Sequence, residues 1–287
     1  MLSVPITTKW WLLAHTVLTR PDLAHHVKTL QFFDSLDYPK DESAVSPLVL
    51  SYYNTQLTTY AATIPEADEN NFNRRAQFLR EHPVSAFLDG ESADEVSLVA
   101  SLCPAAERVE ADTAYRWGVL HFCAPDSMLE LHTVELVDPD PEGGLGLGSL
   151  VPLFRAAPNL RAVRCNGVGD SGDRLLEAGV PMEGVREVEF QYSAIGIEAL
   201  RAVLMVCSQL EIFRYSAGWP APEYEQFDPS QASDLLMGYN MGGLKKVVRD
   251  FVHAEWDDSW VEWEDEERGQ VVKAFRERGV EMELLNC

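Results

Sequence analysis

A short apolar phrase recurs along the chain and sets the expected fold. In segments 160–165, 185–190 and 210–215 the first, fourth and sixth residues are apolar, and these segments start 25 residues apart. Apolar residues at alternate positions predict a short strand with one buried face. Strands that recur at a fixed spacing are typical of proteins built from stacked strand-and-helix units. The phrase therefore predicts a repeat protein with one strand in each unit.

Further copies of the phrase extend the pattern over most of the sequence. Further copies start at residues 27, 131 and 244, a weaker one starts at 106, and a final alternating segment covers 280–284. Between the strands, apolar residues recur three and four positions apart, as at Leu200, Val203 and Leu204, which is the spacing of a buried helix face. Successive strands joined by helices run parallel. We therefore predict an α/β solenoid with a parallel sheet on one face and helices on the other.

The segment before residue 95 fits the period least well. Residues 48–60 and 72–79 have the apolar spacing of helices and are separated by a polar run. Because the end unit of a solenoid must cover an otherwise open core, we expect these helices to form a cap. The sequence thus predicts a single repeat domain over residues 1–287, with an irregular N-terminal cap and first strand in 1–94 and repeat units in 95–287.

Charge and composition narrow the range of partners. The chain has 46 acidic and 23 basic residues, a formal net charge of -23, which disfavours binding to nucleic acid or to an anionic membrane surface. Its five cysteines are far apart and include no Cys-x-x-Cys pair, which favours a reducing compartment. The first residues lack the features of a secretory signal and of a bilayer-spanning segment. We expect an acidic protein of the cytoplasm or nucleus that does not enter a membrane.

The joins between the predicted units carry a family resemblance. Segments 157–163, 207–213 and 241–247, of which the first reads Ala-Pro-Asn-Leu-Arg-Ala-Val, resemble the joins of leucine-rich-repeat proteins. Together with the opening segment 18–30 they resemble fungal F-box and leucine-rich-repeat-like proteins. The resemblance implies the substrate-recognition part of an F-box type ubiquitin-ligase adaptor. We recognise no F-box in the sequence, so the link to a cullin ubiquitin ligase comes from the resemblance alone.

The repeats depart from the regular leucine-rich pattern at one position. Where regular repeats carry Asn or Cys, the three clear copies carry Val168, Ser193 and Gly218. The Asn or Cys side chain bonds to the backbone of the neighbouring turn in regular repeats. Its replacement predicts irregular, leucine-rich-repeat-like units whose turns have no side-chain ladder.

An acidic segment near the C-terminal end is the strongest candidate for a binding surface. Residues 250–267 include nine acidic residues and no Lys or Arg, and tryptophans occur within them at spacings of four and three, which places the indoles on one helix face. One interpretation is that the tryptophans cover the end of the repeat core. The other is a hot spot that selects a basic segment of a protein partner, because aromatic anchors bordered by carboxylates would favour positive charge. The candidate partner-binding residues are Trp219 on a predicted rim loop, Trp256, Trp260, Trp263 and Glu264.

A second candidate lies between a predicted strand and a predicted helix. Asp138, Asp140 and Glu142 alternate with other residues, as calcium ligands often do, and a glycine-rich run follows in 143–148. This loop makes a metal- or nucleotide-binding protein the main alternative, and a purely structural scaffold is the third possibility. The favoured prediction is a non-enzymatic protein-protein interaction module that requires no cofactor and no metal.

Overall fold

The chain folds into two compact units. The computed structural model describes residues 2–6, 10–32, 45–61, 94–112, 119–137, 145–170, 172–180, 182–217, 234–236, 238, 243–250 and 265–285. Unit 1 comprises Met1–His132 and Ser149–Pro158, and unit 2 comprises Thr133–Gly148 and Asn159–Cys287. The single repeat domain expected from the sequence stays a prediction.

Unit 1 combines three parallel strands with helices. Its elements in chain order are β1 (Leu2–Ile6), α1 (Trp10–Thr19), a 3-10 helix (Pro21–His26), β2 (Val27–Phe32), α2 (Pro47–Ala61), α3 (Asp94–Leu102), β3 (Arg108–Asp112) and α4 (Val151–Ala156). Strand β2 pairs with β1 on one side and β3 on the other, and Leu30 lies opposite Val109. Both of these side chains are fully buried. Helix α1 contacts α2 and α3, so apolar helix faces supply the rest of this core.

Unit 2 is a longer run of parallel strands. Its elements are β4 (Thr133–Val137), β5 (Ala162–Asn166), β6 (Gly169–Asp170), α5 (Asp173–Glu177), β7 (Glu187–Ile195), α6 (Ile197–Val206), β8 (Ile212–Ala217), β9 (Lys246–Asp250), α7 (Asp265–Glu277) and β10 (Glu281–Leu285). The strand order is β4-β5-β7-β8-β9-β10, and the short β6 pairs with β7 outside this path. Every neighbouring pair in this path is parallel. The α/β class and the parallel sheet expected from the sequence are therefore confirmed.

The apolar phrase marks structurally equivalent positions in neighbouring strands. The fourth residues of its copies form one continuous row across unit 2, in the order Val134, Val163, Val188, Phe213 and Val247. All five are buried, because this row faces the helical side of the sheet. The sixth residues, which include Phe190 and Tyr215, form the next buried row. The 25-residue spacing therefore corresponds to one step across the sheet.

The predicted helices that fall within the described residues are found where the apolar spacing places them. Helix α2 confirms the helix expected at 48–60, and Leu200 and Val203 of α6 are buried as their spacing predicts. The helix expected at 72–79 lies outside the described residues. Among the helices that the structure describes, none has both the length and the apolar content needed to cross a bilayer.

Candidate functional site

The residues predicted to bind a partner are not placed by the structure. Trp219, Trp256, Trp260, Trp263 and Glu264 all lie outside the described residues. The interpretation of these tryptophans as an interaction surface, or as a cover over the repeat core, therefore stays a prediction.

The alternative loop is described only in its second half. Residues 138–144 lie outside the described residues, whereas Leu145 is buried and its N–H donates a 2.7 Å hydrogen bond to the carbonyl of Gly167. The carbonyl of Leu145 in turn accepts from the N–H of Gly169 at 3.2 Å. A buried leucine whose amide is already bonded does not supply a phosphate cradle. In the part of the chain that the structure describes, no three His, Cys, Asp or Glu side chains are grouped as metal ligands.

The side of the unit-2 sheet opposite the helices carries a row of opposite charges. We call this side the strand face. It is formed by the charged residues Glu135 on β4, Arg164 on β5, Glu187 and Glu189 on β7, and Arg214 on β8. Strand register places Glu135, Arg164, Glu189 and Arg214 next to one another, so the sign of the charge alternates from strand to strand. Opposite charges at neighbouring positions of a sheet stabilise the pairing.

Each guanidinium on the strand face contacts more than one carboxylate. Arg164 lies 3.1 Å from Glu187, 3.6 Å from Glu189 and 3.9 Å from Glu135. Arg214 contacts Glu187 as well, and it lies 3.5 Å from Glu189. The five side chains are between 15% and 39% exposed, so the network is accessible to a partner but partly shielded from solvent. Such a network fixes the side chains of the face in one arrangement.

The sequence contained a signal for this network that the apolar pattern does not reveal. Glu135, Arg164, Glu189 and Arg214 all occupy the fifth position of the repeated phrase. Position five lies between the buried fourth and sixth residues, so its side chain points to the opposite side of the sheet. Comparing the charge at this one position across the copies would have indicated the alternating row.

A bulge at the end of β7 turns an aromatic side chain outward. Phe190 lies opposite Tyr215, and Ser193 lies opposite Ala217, so β7 has one more residue than β8 over this interval. Within the bulge Tyr192 adopts a φ of +47°, and the residue is 55% exposed. A bulky residue in the left-handed region is strained, and such strain is found preferentially at functional sites.

Hydrogen bonds from neighbouring strands hold this bulge in place. The N–H of Tyr192 donates to Oγ of Ser216 at 2.9 Å, and the hydroxyl of Tyr215 donates to the carbonyl of Ser193 at 2.8 Å. Oγ of Ser193 donates to the carbonyl of Gln191 at 2.8 Å and accepts from the N–H of Val168 at 3.0 Å. We call Gln191, Tyr192, Ser193, Tyr215 and Ser216 the Tyr192 corner.

These bonds correct one expectation from the sequence. The sequence predicts turns without a side-chain ladder because the Asn or Cys position carries Val168, Ser193 and Gly218, of which Gly218 lies outside the described residues. The prediction is wrong for Ser193, a residue only 1% exposed, because its short hydroxyl accepts a hydrogen bond from the backbone N–H of Val168. Ser216 does the same one strand further along. Hydroxyl side chains satisfy buried backbone groups here as an amide would.

The buried cysteines contribute to packing, and their thiols are poor nucleophiles. Cys103, Cys123, Cys165 and Cys207 are free and buried among the described residues. Burial raises the pKa of Cys103, Cys123 and Cys207 to about 12, and it raises the pKa of Cys165 as well. Because the thiolate is the nucleophile, these thiols are unreactive near neutral pH.

A second charged cluster lies where the strands begin. Lys245 Nζ is 2.6 Å from a carboxylate oxygen of Glu211, and Arg186 Nε is 3.8 Å from the other. The hydrogen bond from Lys245 lowers the pKa of Glu211. This cluster is exposed, so it contributes little to stability but keeps Glu211 ionised.

The comparisons with known proteins assign no family. No protein-family model matches the chain, and no curated protein matches it significantly. The strand face and the Tyr192 corner are therefore the features of the described residues that bear on function.

Proposed function

We propose that this protein is a non-enzymatic, irregular leucine-rich-repeat-like solenoid that binds another protein through the strand face and the Tyr192 corner. The repeated register supports the solenoid, because the fourth and the fifth residue of each phrase take equivalent places in successive strands. Repeat proteins of this kind commonly use an extended strand surface for binding.

The exposure of Tyr192 is the observation that carries the proposal. Its backbone has a φ in the left-handed region, and its N–H donates to Oγ of Ser216 while Oγ of Ser193 donates to the carbonyl of the preceding residue, Gln191. More than half of Tyr192 nevertheless remains accessible to solvent. A glycine would relieve this strain, so the tyrosine is not explained by the needs of the turn. Exposed tyrosines on rigid supports are typical anchors of protein interfaces, because little side-chain entropy is lost on binding.

Electrostatics favour a partner that is positively charged overall. The arginines of the strand face are each paired with glutamates, and the whole chain has twice as many acidic as basic residues, 46 against 23. The paired charges give specificity through the arrangement of donors and acceptors, and the surplus of acid attracts a basic segment over a longer distance.

The resemblance to fungal F-box and leucine-rich-repeat-like proteins supports a more specific proposal. In that case the partner is a substrate presented for ubiquitination in the cytoplasm or nucleus, and a separate segment or subunit docks on the cullin ligase. Trp219, Trp256, Trp260, Trp263 and Glu264 extend the same binding role in this proposal.

A site-specific photo-crosslinker tests the binding role directly. We would place benzoylphenylalanine at position 192 in one variant and at Met205 in another, because both residues are 55% exposed and Met205 lies on helix α6. Cross-linking in a cell extract followed by mass spectrometry should give a protein adduct from position 192 that position 205 does not give. Equal adducts from both positions, or none from position 192, would reject the proposal.

Tyr192→Gly gives a second and independent test of the same role. The substitution removes the aromatic ring and the left-handed strain together, so the free energy of unfolding should stay equal or rise by up to about 1 kcal/mol. Binding of the partner identified by the crosslinker should weaken by about tenfold or more. Binding that survives this substitution in a stable variant would show that Tyr192 is not an anchor.

A further inference from the structure

Strand β10 forms an edge of the unit-2 sheet. It pairs with β9 on one side, and among the described residues no strand pairs with its other side. An unpaired edge presents backbone N–H and C=O groups that can bind an additional strand. The side chains along β10 determine which strands fit.

The charged side of this edge ends in two glutamates that share one lysine. Lys246 Nζ lies 2.6 Å from Glu283 and 3.2 Å from Glu281. The lysine side chain is 27% exposed, whereas those of Glu281 and Glu283 are 67% and 43% exposed. Two carboxylates against one ammonium group leave the edge with a negative charge that faces outward.

The apolar side of the edge is incompletely covered. Met282 continues the row of Phe213 and Val247, which are 1% and 3% exposed, and Leu284 lies on the same side of β10. Met282 and Leu284 are both half-buried, in contrast to the buried residues of the central strands. The described residues therefore leave apolar surface at the edge that a further strand could cover.

We infer that the edge of β10 binds an extended segment of a protein partner by strand addition, and that this segment alternates basic and apolar side chains. The inference rests on the proposed protein-binding function and specifies one chemistry for the partner. Basic residues would lie beside Glu281 and Glu283, and apolar residues would lie beside Met282 and Leu284, since side chains alternate across a strand. The added segment extends the parallel sheet and completes both of its faces.

A second copy of this chain is a poor occupant of the same edge. Pairing β10 with another β10 brings glutamates next to glutamates, and like charges at neighbouring positions destabilise a sheet. The glutamates thus protect the edge from self-association, which natural edge strands often require. A basic strand meets no such obstacle, because its charges are complementary.

A synthetic peptide tests the inference without knowledge of the natural partner. The probe is Gly-Lys-Val-Lys-Val-Lys-Gly, and its comparison peptides are the Glu counterpart and a version with N-methylated lysine amides. The N–H of Glu281 donates to the carbonyl of Lys245 at 2.9 Å, towards β9. In an added parallel strand the lysines beside Glu281 and Glu283 therefore point their N–H groups to β10. Calorimetric titration of the full chain should show binding of the basic peptide with a dissociation constant below about 1 mM, at least tenfold weaker binding of the N-methylated version, and none of the acidic peptide. Equal binding of the N-methylated peptide would overturn strand addition, since that peptide keeps the charge but loses the backbone donors.

A charge-reversed edge provides the matched comparison. The variant Glu281→Lys with Glu283→Lys should bind the basic peptide at least about tenfold more weakly than the original chain does. It should also bind the acidic peptide, which the original chain does not. The control is Glu177→Lys with Glu198→Lys, which makes the same charge change at exposed residues of helices α5 and α6. Equal losses in both variants would reject the edge as the site, because they would show attraction to net charge alone.

Hydrogen exchange on the unaltered chain keeps the inference testable if the charge-reversed variant fails to fold. The basic peptide should slow exchange of the β10 amides, and unchanged exchange there would overturn the inference. The crosslinker at position 192 separates this result from the wider proposal. A partner captured at position 192 together with a peptide that does not bind would reject only the edge, whereas failure of both would reject the binding role as well.

Discussion

The hydroxyl of Tyr215 donates a 2.8 Å hydrogen bond to the carbonyl of Ser193, and both residues are buried. The bond joins β8 to the bulge of β7 and so fixes the backbone that displays Tyr192. Burying a carbonyl without a hydrogen-bond partner costs free energy, so this bond helps to stabilise the bulge.

Tyr215→Phe should therefore weaken the corner in a measurable way. Loss of the hydroxyl removes this hydrogen bond from a buried site and should reduce the free energy of unfolding by about 1 kcal/mol. Urea unfolding followed by circular dichroism measures the change. Tyr192→Phe is the matched control, because an exposed tyrosine should lose its hydroxyl with a change within about 0.5 kcal/mol. Equal effects of the two substitutions would contradict the structural role of Tyr215.

The close approach between the turn at Gly172 and helix α6 gives a second prediction. Gly172 has a φ of +81°, and a Cβ there would lie 2.8 Å from the Cα of Ala199 and 2.8 Å from the Cβ of Ala202. Gly172→Ala should lower the free energy of unfolding by more than the strain of the left-handed region, which is about 1–2 kcal/mol. Gly179 also has a positive φ, +58°, but a Cβ there would meet nothing within 4 Å. Gly179→Ala should therefore lower the free energy of unfolding by that strain alone. Thermal unfolding of both variants measures the difference, and equal melting temperatures would show that the turn can move away from α6.

The apolar phrase predicted the strands well because it depends on local alternation alone. Val163, Val188 and Phe213 are separated by 25 residues in the chain and are adjacent in the sheet. The bulge at Tyr192 could not be found in this way. It exists because β7 has one residue more than β8, and that difference depends on pairing between segments rather than on either segment alone.

The contacts of the candidate site also could not be predicted from single segments of the sequence. The charges of Glu135, Arg164, Glu189 and Arg214 are visible in the sequence, but their contacts require the register between strands. The side-chain ladder at Ser193 could not be predicted from the sequence, because only the folded geometry shows that its hydroxyl reaches the N–H of Val168. The five partner-binding residues that the sequence predicts, Trp219 among them, lie outside the described residues and remain predictions.

The charge network on the strand face should respond to the loss of its central carboxylate. Glu187 accepts hydrogen bonds from both Arg164 and Arg214, and its side chain is 19% exposed. Glu187→Gln should reduce the free energy of unfolding by about 1–2 kcal/mol at low salt, because two guanidiniums then lose a shared partner. Added salt screens the remaining charges and should reduce the difference.

Glu198→Gln is the control for this network. Glu198 pairs with Arg201 at 3.1 Å on the surface of helix α6, and both side chains are about half exposed, at 55% and 48%. Isolated surface pairs contribute little, so this variant should stay within about 0.5 kcal/mol of the original protein. If Glu198→Gln costs as much as Glu187→Gln in denaturant titrations, the strand-face network is no stronger than an ordinary surface pair.

The buried thiols give a prediction with a defined pH dependence. Burial raises the pKa of Cys207 in the folded protein to about 12, from an ordinary value of 9.0. The folded state therefore holds the proton more tightly than the unfolded state does. Stability due to this difference is fully present below pH 9.0 and decreases as the pH rises from there towards about 12, because only the unfolded chain ionises in that window.

The rate of chemical labelling measures how well the buried thiols, Cys207 among them, are protected, and it does so without exposing the protein to strong alkali. A chain with Cys287→Ser keeps the thiols at positions 103, 123, 165 and 207, all of which are buried. At pH 8 these thiols should react with an aromatic disulfide reagent at least about a hundredfold more slowly in the folded protein than in urea, because the reagent needs a thiolate and an open path to it. The rate should rise with denaturant in parallel with unfolding. Rapid labelling of any of the four thiols in the absence of denaturant would show that its burial is transient.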